Sequence, residues 1–426
     1  MQTVQTLPKH EVKDLTLATQ GFNQINWALQ DMPVLASIRN RFKVEQPFKG
    51  LRISACGHLT KELAALAITM QAGGADAVVI ASNPLSTQDD VAASLVAHYG
   101  ISTFGFAGET VDTFKHHVEI ALNHNPNVIM DDGGDLVAAV LQQKPELGKT
   151  LMGSTEETTA GITRLKSLDK QGLLPWPAIG VNESKTKHLF DNRYGTGQST
   201  LDGIFRACNI LLSGKTVVVV GYGWCGRGVA LRARGMGANV IVCEVDHMKA
   251  LEAVMEGYRV MTIAEAAPLG DVFITITSNK HAIDAQHFPL MKDQAILCNA
   301  GHFNWEYNHD ALVEQSVAVT EPRRFVQACK QADGRTLYSL CEGRLVNLIA
   351  AEGHPSSVMD MSFSNQALGV EYLVQNYGKL PNNMLTLPYE LDYKIAQLKL
   401  EGLGIGIDAM TPAMEAYMAS WSEGTQ

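Results

Sequence analysis

Basic charge is scarce in this chain. Its 426 residues carry 34 Lys and Arg against 44 Asp and Glu, a net charge of −10. A surface of that sign repels phosphate backbones and anionic lipid, so neither nucleic acid nor membrane is expected as a partner. Long apolar runs are also missing. None approaches the roughly 18 residues of a spanning helix, and Met1–Asp14 lacks the apolar core of a secretory leader. The seven cysteines are odd in number and never spaced C-x-x-C. That argues against a disulfide frame or a zinc ribbon and reads as reduced thiols in a cytoplasmic protein. No metal site is expected, and no short repeat or low-complexity tract stands out.

What remains is a chain with 46% hydrophobic and 18% charged residues, long enough for two or three domains with sizeable cores. Residues 15–50 read as helical. Short β-rich runs follow at Leu51–Ser54, Ala77–Ala81 and Asn127–Met130, separated by helix-like stretches such as Lys61–Ala72 and Val91–His98. Strands alternating with helices point to a parallel α/β sheet. A second such rhythm starts at Lys215, with strands at Thr216–Val220, Ala238–Cys243, Asp271–Thr277 and Ala295–Asn299. Met361–Gln375 and Tyr389–Trp421 return to helix, the latter with a break at Gly402–Gly406.

The second unit carries Gly221-Tyr-Gly223-Trp224-Cys225-Gly226 directly after a strand. In a G-x-G-x-x-G turn the first glycine allows the tight turn. The second admits the pyrophosphate, and the third lets helix and strand pack closely. The free N–H groups of the following helix face the phosphates. Glu244 lies 18 residues after Gly226, at the end of the next strand. A carboxylate there accepts both adenosine-ribose hydroxyls and repels a 2′-phosphate, which favours NAD over NADP.

The first unit ends its strands in acid-rich segments. These are Asp131-Asp132-Gly-Gly-Asp135 and Glu156-Glu157-Thr158-Thr159, followed by Asn182 to Lys187 and Phe190-Asp191-Asn192. Carboxylates and a lysine at strand ends can order hydroxyls and move protons. Taken singly, Asp135 is equally well read as a loop carboxylate capping a helix. His116, His117 and His124 read as surface residues.

With His58-Leu-Thr60, Ser86-Thr-Gln-Asp89, Met291-Lys-Asp293, Gly301-His302-Phe303, Glu342-Gly-Arg-Leu-Val-Asn347 and Gly353-His354-Pro355 added, the sequence closely resembles the S-adenosylhomocysteine hydrolase family. The stretches occur in order across most of the chain. The resemblance implies a discontinuous substrate domain, 1–184 plus 355–395. It also implies a Rossmann NAD domain at 198–352 and an oligomerisation tail at 396–426. The expected fold is thus α/β, two doubly wound parallel-sheet domains with a small helical tail.

The implied reaction is reversible hydrolysis of S-adenosyl-L-homocysteine to adenosine and L-homocysteine. A bound NAD oxidises the 3′-hydroxyl, C4′ is deprotonated, homocysteine is eliminated, water adds and the ketone is reduced. Lys187 and Asp191 are implied to hold the ribose hydroxyls and help deprotonate the 3′-OH. That role calls for a lysine with a depressed pKa. Asp132 is implied as the acid/base at C4′ and His58 as the group assisting thiol and water. Glu157 is implied as a ribose ligand supported by Asn182. His302 is implied beside the reaction centre and His354 at the access gate. Thr60, Glu62, Met359 and Phe363 are implied around adenine. Thr158, Thr159, Ala160, Asn192, Asn279, Ala300, Gly301, His302 and Asn347 join Gly221, Gly223, Trp224, Cys225, Gly226 and Glu244 as implied cofactor contacts.

The chain shown stops at Gln426 without the Lys and Tyr of the family's extended tails, so it resembles the shorter-tailed prokaryotic branch. A homotetramer is expected. Three rivals remain: an ordinary NAD dehydrogenase, a non-catalytic regulatory relative, and an S-inosylhomocysteine hydrolase. Glu62 argues against the last.

Overall fold

Short runs rich in valine, isoleucine and alanine become the strands of two eight-stranded sheets. The computed structural model describes residues 8–83 and 85–424. The first sheet begins with β1 (His10–Glu11), β2 (Arg52–Gly57), β3 (Asp76–Ala81) and β4 (Ser102–Phe104), then β5 (Val128–Asp131), β6 (Gly153–Glu156) and β7 (Ala178–Gly180). The second comprises β8 (Thr216–Val220), β9 (Asn239–Cys243), β10 (Arg259–Val260) and β11 (Val272–Thr275), then β12 (Ile296–Asn299), β13 (Ser316–Arg323), β14 (Val326–Gln331) and β15 (Thr336–Leu340). Helices cover both faces of the parallel strands. The inner ones, such as Val217–Val220, are therefore apolar throughout and buried.

The first sheet runs β1-β4-β3-β2-β5-β6-β7, so strand order reverses between β2 and β5. The second runs β10-β9-β8-β11-β12 and reverses between β8 and β11. Loops leave in opposite directions at such a point and open a crevice beyond the strand ends, where ligands of this architecture bind. The second sheet continues through β15-β14-β13, which pair antiparallel. Sequence periodicity had not separated that meander from loop.

Two crossings join the bodies. The outgoing one runs through the short turns Val181–Glu183 and Lys185–Lys187 and a π-helical segment, His188–Gly195, into the helix Thr196–Cys208. The return leads from the turn Val346–Ile349 into the helix Ser356–Gln375. That helix belongs to the first body: Met361, Phe363, Ala367, Leu368, Val370 and Leu373 share one core with Ile53, Leu63 and Val79. A sixteenth strand, β16 (Met384–Leu385), then pairs parallel with β7. The helix Tyr389–Gly402 passes residue 396 unbroken. Its Lys399 reaches Asp360 at 2.9 Å, and Asp360 also accepts the N–H groups of Val34 and Leu35 at the start of the helix Pro33–Glu45. From Leu403 to Ala419 every residue is exposed.

One histidine corrects the sequence reading. His117 is fully buried, not superficial. Its Nδ1 lies 3.1 Å from Glu109 and its Nε2 3.2 Å from Glu11 on β1. Burial works against the imidazolium, but the two carboxylates outweigh it and hold the pKa above its ordinary 6.5.

Candidate active site

The two crevices face each other across one cleft. Its walls come from the ends of β2, β5 and β6, the outgoing crossing, the loops after β11 and β12, and the helix Ser356–Gln375.

Lys187 stands at the centre and is 5% exposed. It opens the π-helical segment, where residues four and five further on both come round to the same side. Its ammonium therefore meets Asp191 at 3.2 Å and donates to Asn192 Oδ1 at 2.9 Å. Asn182 Oδ1 accepts at 3.1 Å, and Glu157 Oε1 lies at 3.9 Å. Burial disfavours the charge, but Asp191 and Glu157 outweigh it and the pKa rises above 10.5. The expectation of a depressed lysine is thereby corrected: among the described residues no cation approaches it, and four acceptors do. Asn182 also departs from expectation. It supports Lys187 and Asn192, while Glu157 is held by Gln366 at 2.8 Å.

The acids around it are set apart electrostatically. Asp191 is buried, yet Lys187 and His354 hold its pKa well below the ordinary 3.8. The Ser362 hydroxyl donates to it at 2.7 Å and His354 Nε2 lies 3.3 Å away. Asp132 and Glu157 have the opposite fate. Burial raises both to about 7 against the pull of Lys187. Asp132 Oδ1 and Glu157 Oε1 are buried with no hydrogen-bond partner among the described residues. Each is thus an acid near neutrality with an atom free to act.

Two histidines flank Asp132. His58 Nε2 is 3.7 Å from Oδ2, and His302 Nδ1 is 3.9 Å from Oδ1. His302 comes from the second body and lies over Gly133, where a Cβ would fall 2.5 Å from its Nε2. Gly133 is therefore required both for its φ of +108° and for this approach. Burial lowers His58 to about 3 and His302 to about 4, so both rings are neutral near pH 7. His58 Nδ1 is 2.6 Å from Ser86 Oγ, whose own proton can go to Asn83 O at 3.2 Å. With that proton committed, His58 carries its hydrogen on Nδ1 and presents Nε2 as an acceptor.

At the far end, Thr60, Glu62, Met359 and Phe363 line the wall. Glu62 is 1% exposed and accepts the Ser356 hydroxyl at 2.6 Å. Ser356, Met359, Phe363 and Gln366 share one face of their helix at spacings of three and four. Met359 and Phe363 stand where the family resemblance implied them; the spacing of the face also carries Ser356 and Gln366. Ser86 and Ser362 likewise act here and had not been assigned.

The cofactor half divides in two. Thr158, Thr159, Ala160, Asn192, Cys225, Ala300, Gly301, His302 and Asn347 line the shared cleft. Gly221, Gly223, Trp224, Gly226 and Glu244 lie outside it, at the glycine turn. Asn279 also lies outside that wall and is exposed. At the turn, a Cβ on Gly226 would sit 2.0 Å from Gly221 O, while one on Gly223 would meet nothing within 4 Å. This is an open berth above a tight turn, as a pyrophosphate needs. Glu244 accepts the N–H groups of Tyr222, Val245 and Asp246. Asn347 donates to Ser199, yet its Oδ1 is buried without a partner among the described residues, an acceptor suited to a carboxamide N–H. These residues fit a bound NAD.

The sequence matches the family model of the S-adenosyl-L-homocysteine hydrolase NAD binding domain over residues 192–353. It matches the S-adenosyl-L-homocysteine hydrolase model over 9–147. It is 58% identical to the adenosylhomocysteinase of Gloeothece citriformis over 417 residues, covering 98% of this chain and 97% of that one. The Nostoc adenosylhomocysteinase is also 58% identical, with 98% of each chain covered. That of Saccharolobus solfataricus is 54% identical, covering 98% of this chain and all of its own. With the two models spanning most of the chain and relatives aligned end to end, the chain belongs to the S-adenosyl-L-homocysteine hydrolase family.

Proposed function

We propose that the protein hydrolyses S-adenosyl-L-homocysteine to adenosine and L-homocysteine, reversibly, with NAD as its resident cofactor. The observation that carries this reading is the buried Lys187 cluster, which sets one ammonium and two differently tuned carboxylates in the cleft that the NAD-fitting residues share.

Bound NAD supplies reversible two-electron oxidation at the sugar 3′-carbon. Lys187 remains an ammonium and donates to the ribose hydroxyls. It stabilises the alkoxide that forms when a 3′-OH proton leaves. Asp191, held ionised, accepts from a hydroxyl without taking its proton. Glu157, near neutrality, is the proton acceptor matched to that step. Once C3′ is a ketone, C4′–H is acidic enough for Asp132 to remove. Asp132 passes the proton to His58 Nε2, and His58 delivers it to the departing sulfur. Water then adds at C5′, giving a proton to His58, which returns through Asp132 to C4′. His302 helps close the site over this pair and keep bulk water from the ketone. Glu62, an acceptor with no hydrogen to offer when ionised, suits a 6-amino purine over a 6-oxo one. Met359 and Phe363 supply apolar wall beside it.

The assembly is proposed to be a tetramer. Ile405, Ile407, Met410, Met414, Tyr417, Met418 and Trp421 are exposed, an apolar segment that favours burial against another subunit. A cytoplasmic setting suits the seven free thiols. No helix among the described residues is long and apolar enough to cross a membrane. The test is release of free thiol from S-adenosylhomocysteine, with adenosine deaminase drawing the equilibrium. Absence of thiol from NAD-loaded protein contradicts the proposal.

A further inference from the structure

Glu306 has no part in the chemistry above, yet it is 1% exposed and lies just behind the cofactor wall. Its carboxylate accepts the N–H of Thr277 at 2.5 Å, the Thr277 hydroxyl at 3.0 Å and the N–H of Ser278 at 2.7 Å. These donors belong to the loop after β11. Glu306 itself belongs to the loop after β12, and it passes directly beneath Gly301, where a Cβ would fall 1.8 Å from its Oε1. Ile276 and Ser278 on one loop, and Ala300, Gly301 and His302 on the other, face the cleft. Ile276 also lies under the glycine turn: a Cβ on Gly221 would meet its carbonyl oxygen at 2.7 Å. One side chain thus ties together the two loops that wall the cofactor's inner end, and braces one of them against the turn.

We infer that Glu306 is a positioning residue for NAD, a staple that fixes the β11 and β12 loops at the separation the cofactor's nicotinamide half requires. Its three donors are all in one loop and its anchorage in the other, so its bonds hold only when the loops are correctly spaced. A glutamine is not equivalent. It offers one acceptor oxygen and turns an amide group toward an N–H donor, so at least one bond becomes a repulsion. Burial raises the Glu306 carboxyl to about 7 against the pull of its three donors, so the contrast with glutamine is sharpest above neutrality, where the acceptor is ionised and its bonds are the stronger kind.

The inference rests on the reading that NAD lies against these loops. The test is NAD retention, measured as cofactor per subunit after gel filtration, together with melting temperature in stripped and NAD-loaded protein. Glu306→Gln is expected to weaken NAD binding by roughly tenfold or more, and to lose most of the temperature rise that NAD confers. Thr277→Val removes the hydroxyl that donates to Glu306 and accepts the Asn279 N–H, without stranding a charge, and is expected to weaken NAD binding by about threefold to tenfold. It keeps the test decisive if the glutamine variant fails to fold. The inference is overturned if both variants hold NAD as wild type does, or if they lower the stripped and loaded melting temperatures equally. Wild-type protein that holds no NAD contradicts the functional reading instead.

Discussion

Asp132→Asn should make the protein more stable while nearly abolishing turnover. The Asp132 carboxyl is 8% exposed, and burial raises it from 3.8 to about 7 despite the attraction of Lys187. A folded state that raises an acid's pKa binds the proton more tightly than the unfolded chain does. Stability therefore falls as pH rises from about 4 to about 7 and is flat above that. The interval from 3.8 to about 7 corresponds to about 4 kcal/mol of destabilisation above pH 7. At pH 5 the same arithmetic leaves under about 2 kcal/mol. Asparagine has the same shape and does not titrate, so it removes this cost. The gain over wild type should be about 4 kcal/mol at pH 8 and shrink toward acid. Loss of a general base should cost about 10²–10⁴-fold in turnover, while NAD and substrate still bind. Denaturant unfolding across pH, paired with thiol release, reads both effects. A variant that turns over normally, or that is destabilised by an amount independent of pH, refutes the reasoning.

Lys187→Met strands Asp191 and Glu157 in the interior. Asp191 keeps Ser362 and His354, so the stability loss should fall near the low end of the roughly 3–5 kcal/mol for breaking a buried pair, and thiol release should drop about 10³-fold; denaturant melts and the thiol assay check each. His117 contributes in the opposite sense to Asp132. Its folded pKa is raised, so its stabilisation is complete below 6.5 and is lost as pH climbs through the folded value. Wild type should lose stability relative to His117→Gln over that alkaline window, and parallel pH profiles for the two proteins would contradict this.

Much of the fold was legible because parallel strands buried on both faces leave continuous apolar runs, and β3, β5, β8, β9, β11 and β12 all show them. The glycine turn was legible for a similar reason, since Gly226 has no room for a side chain. What could not be read was convergence. Linear spacing does not show that His302 comes to rest over Gly133, or that Gln366 rather than Asn182 holds Glu157. The charge state of Lys187 was hidden for the same reason. Asp191 and Asn192 reach the ammonium where the chain winds as a π-helix, while Asn182 and Glu157 arrive from the preceding turn and the end of β6. His117 was misread because its partners lie on β1 and in the loop around Glu109, and a two-residue strand leaves no periodic trace. The helix Ser356–Gln375 had the clearest unread signal, a polar-and-apolar face at helical spacing that needed only a cleft to point into.

The most direct test of the redox-neutral cycle is a single-turnover experiment with NAD-loaded protein and S-adenosylhomocysteine. Thiol release and the near-ultraviolet absorbance of reduced nicotinamide are followed together. The account predicts a transient rise in that absorbance, thiol release during it, and a return to baseline. Thiol released with no transient, or absorbance that accumulates with each turnover, would contradict it.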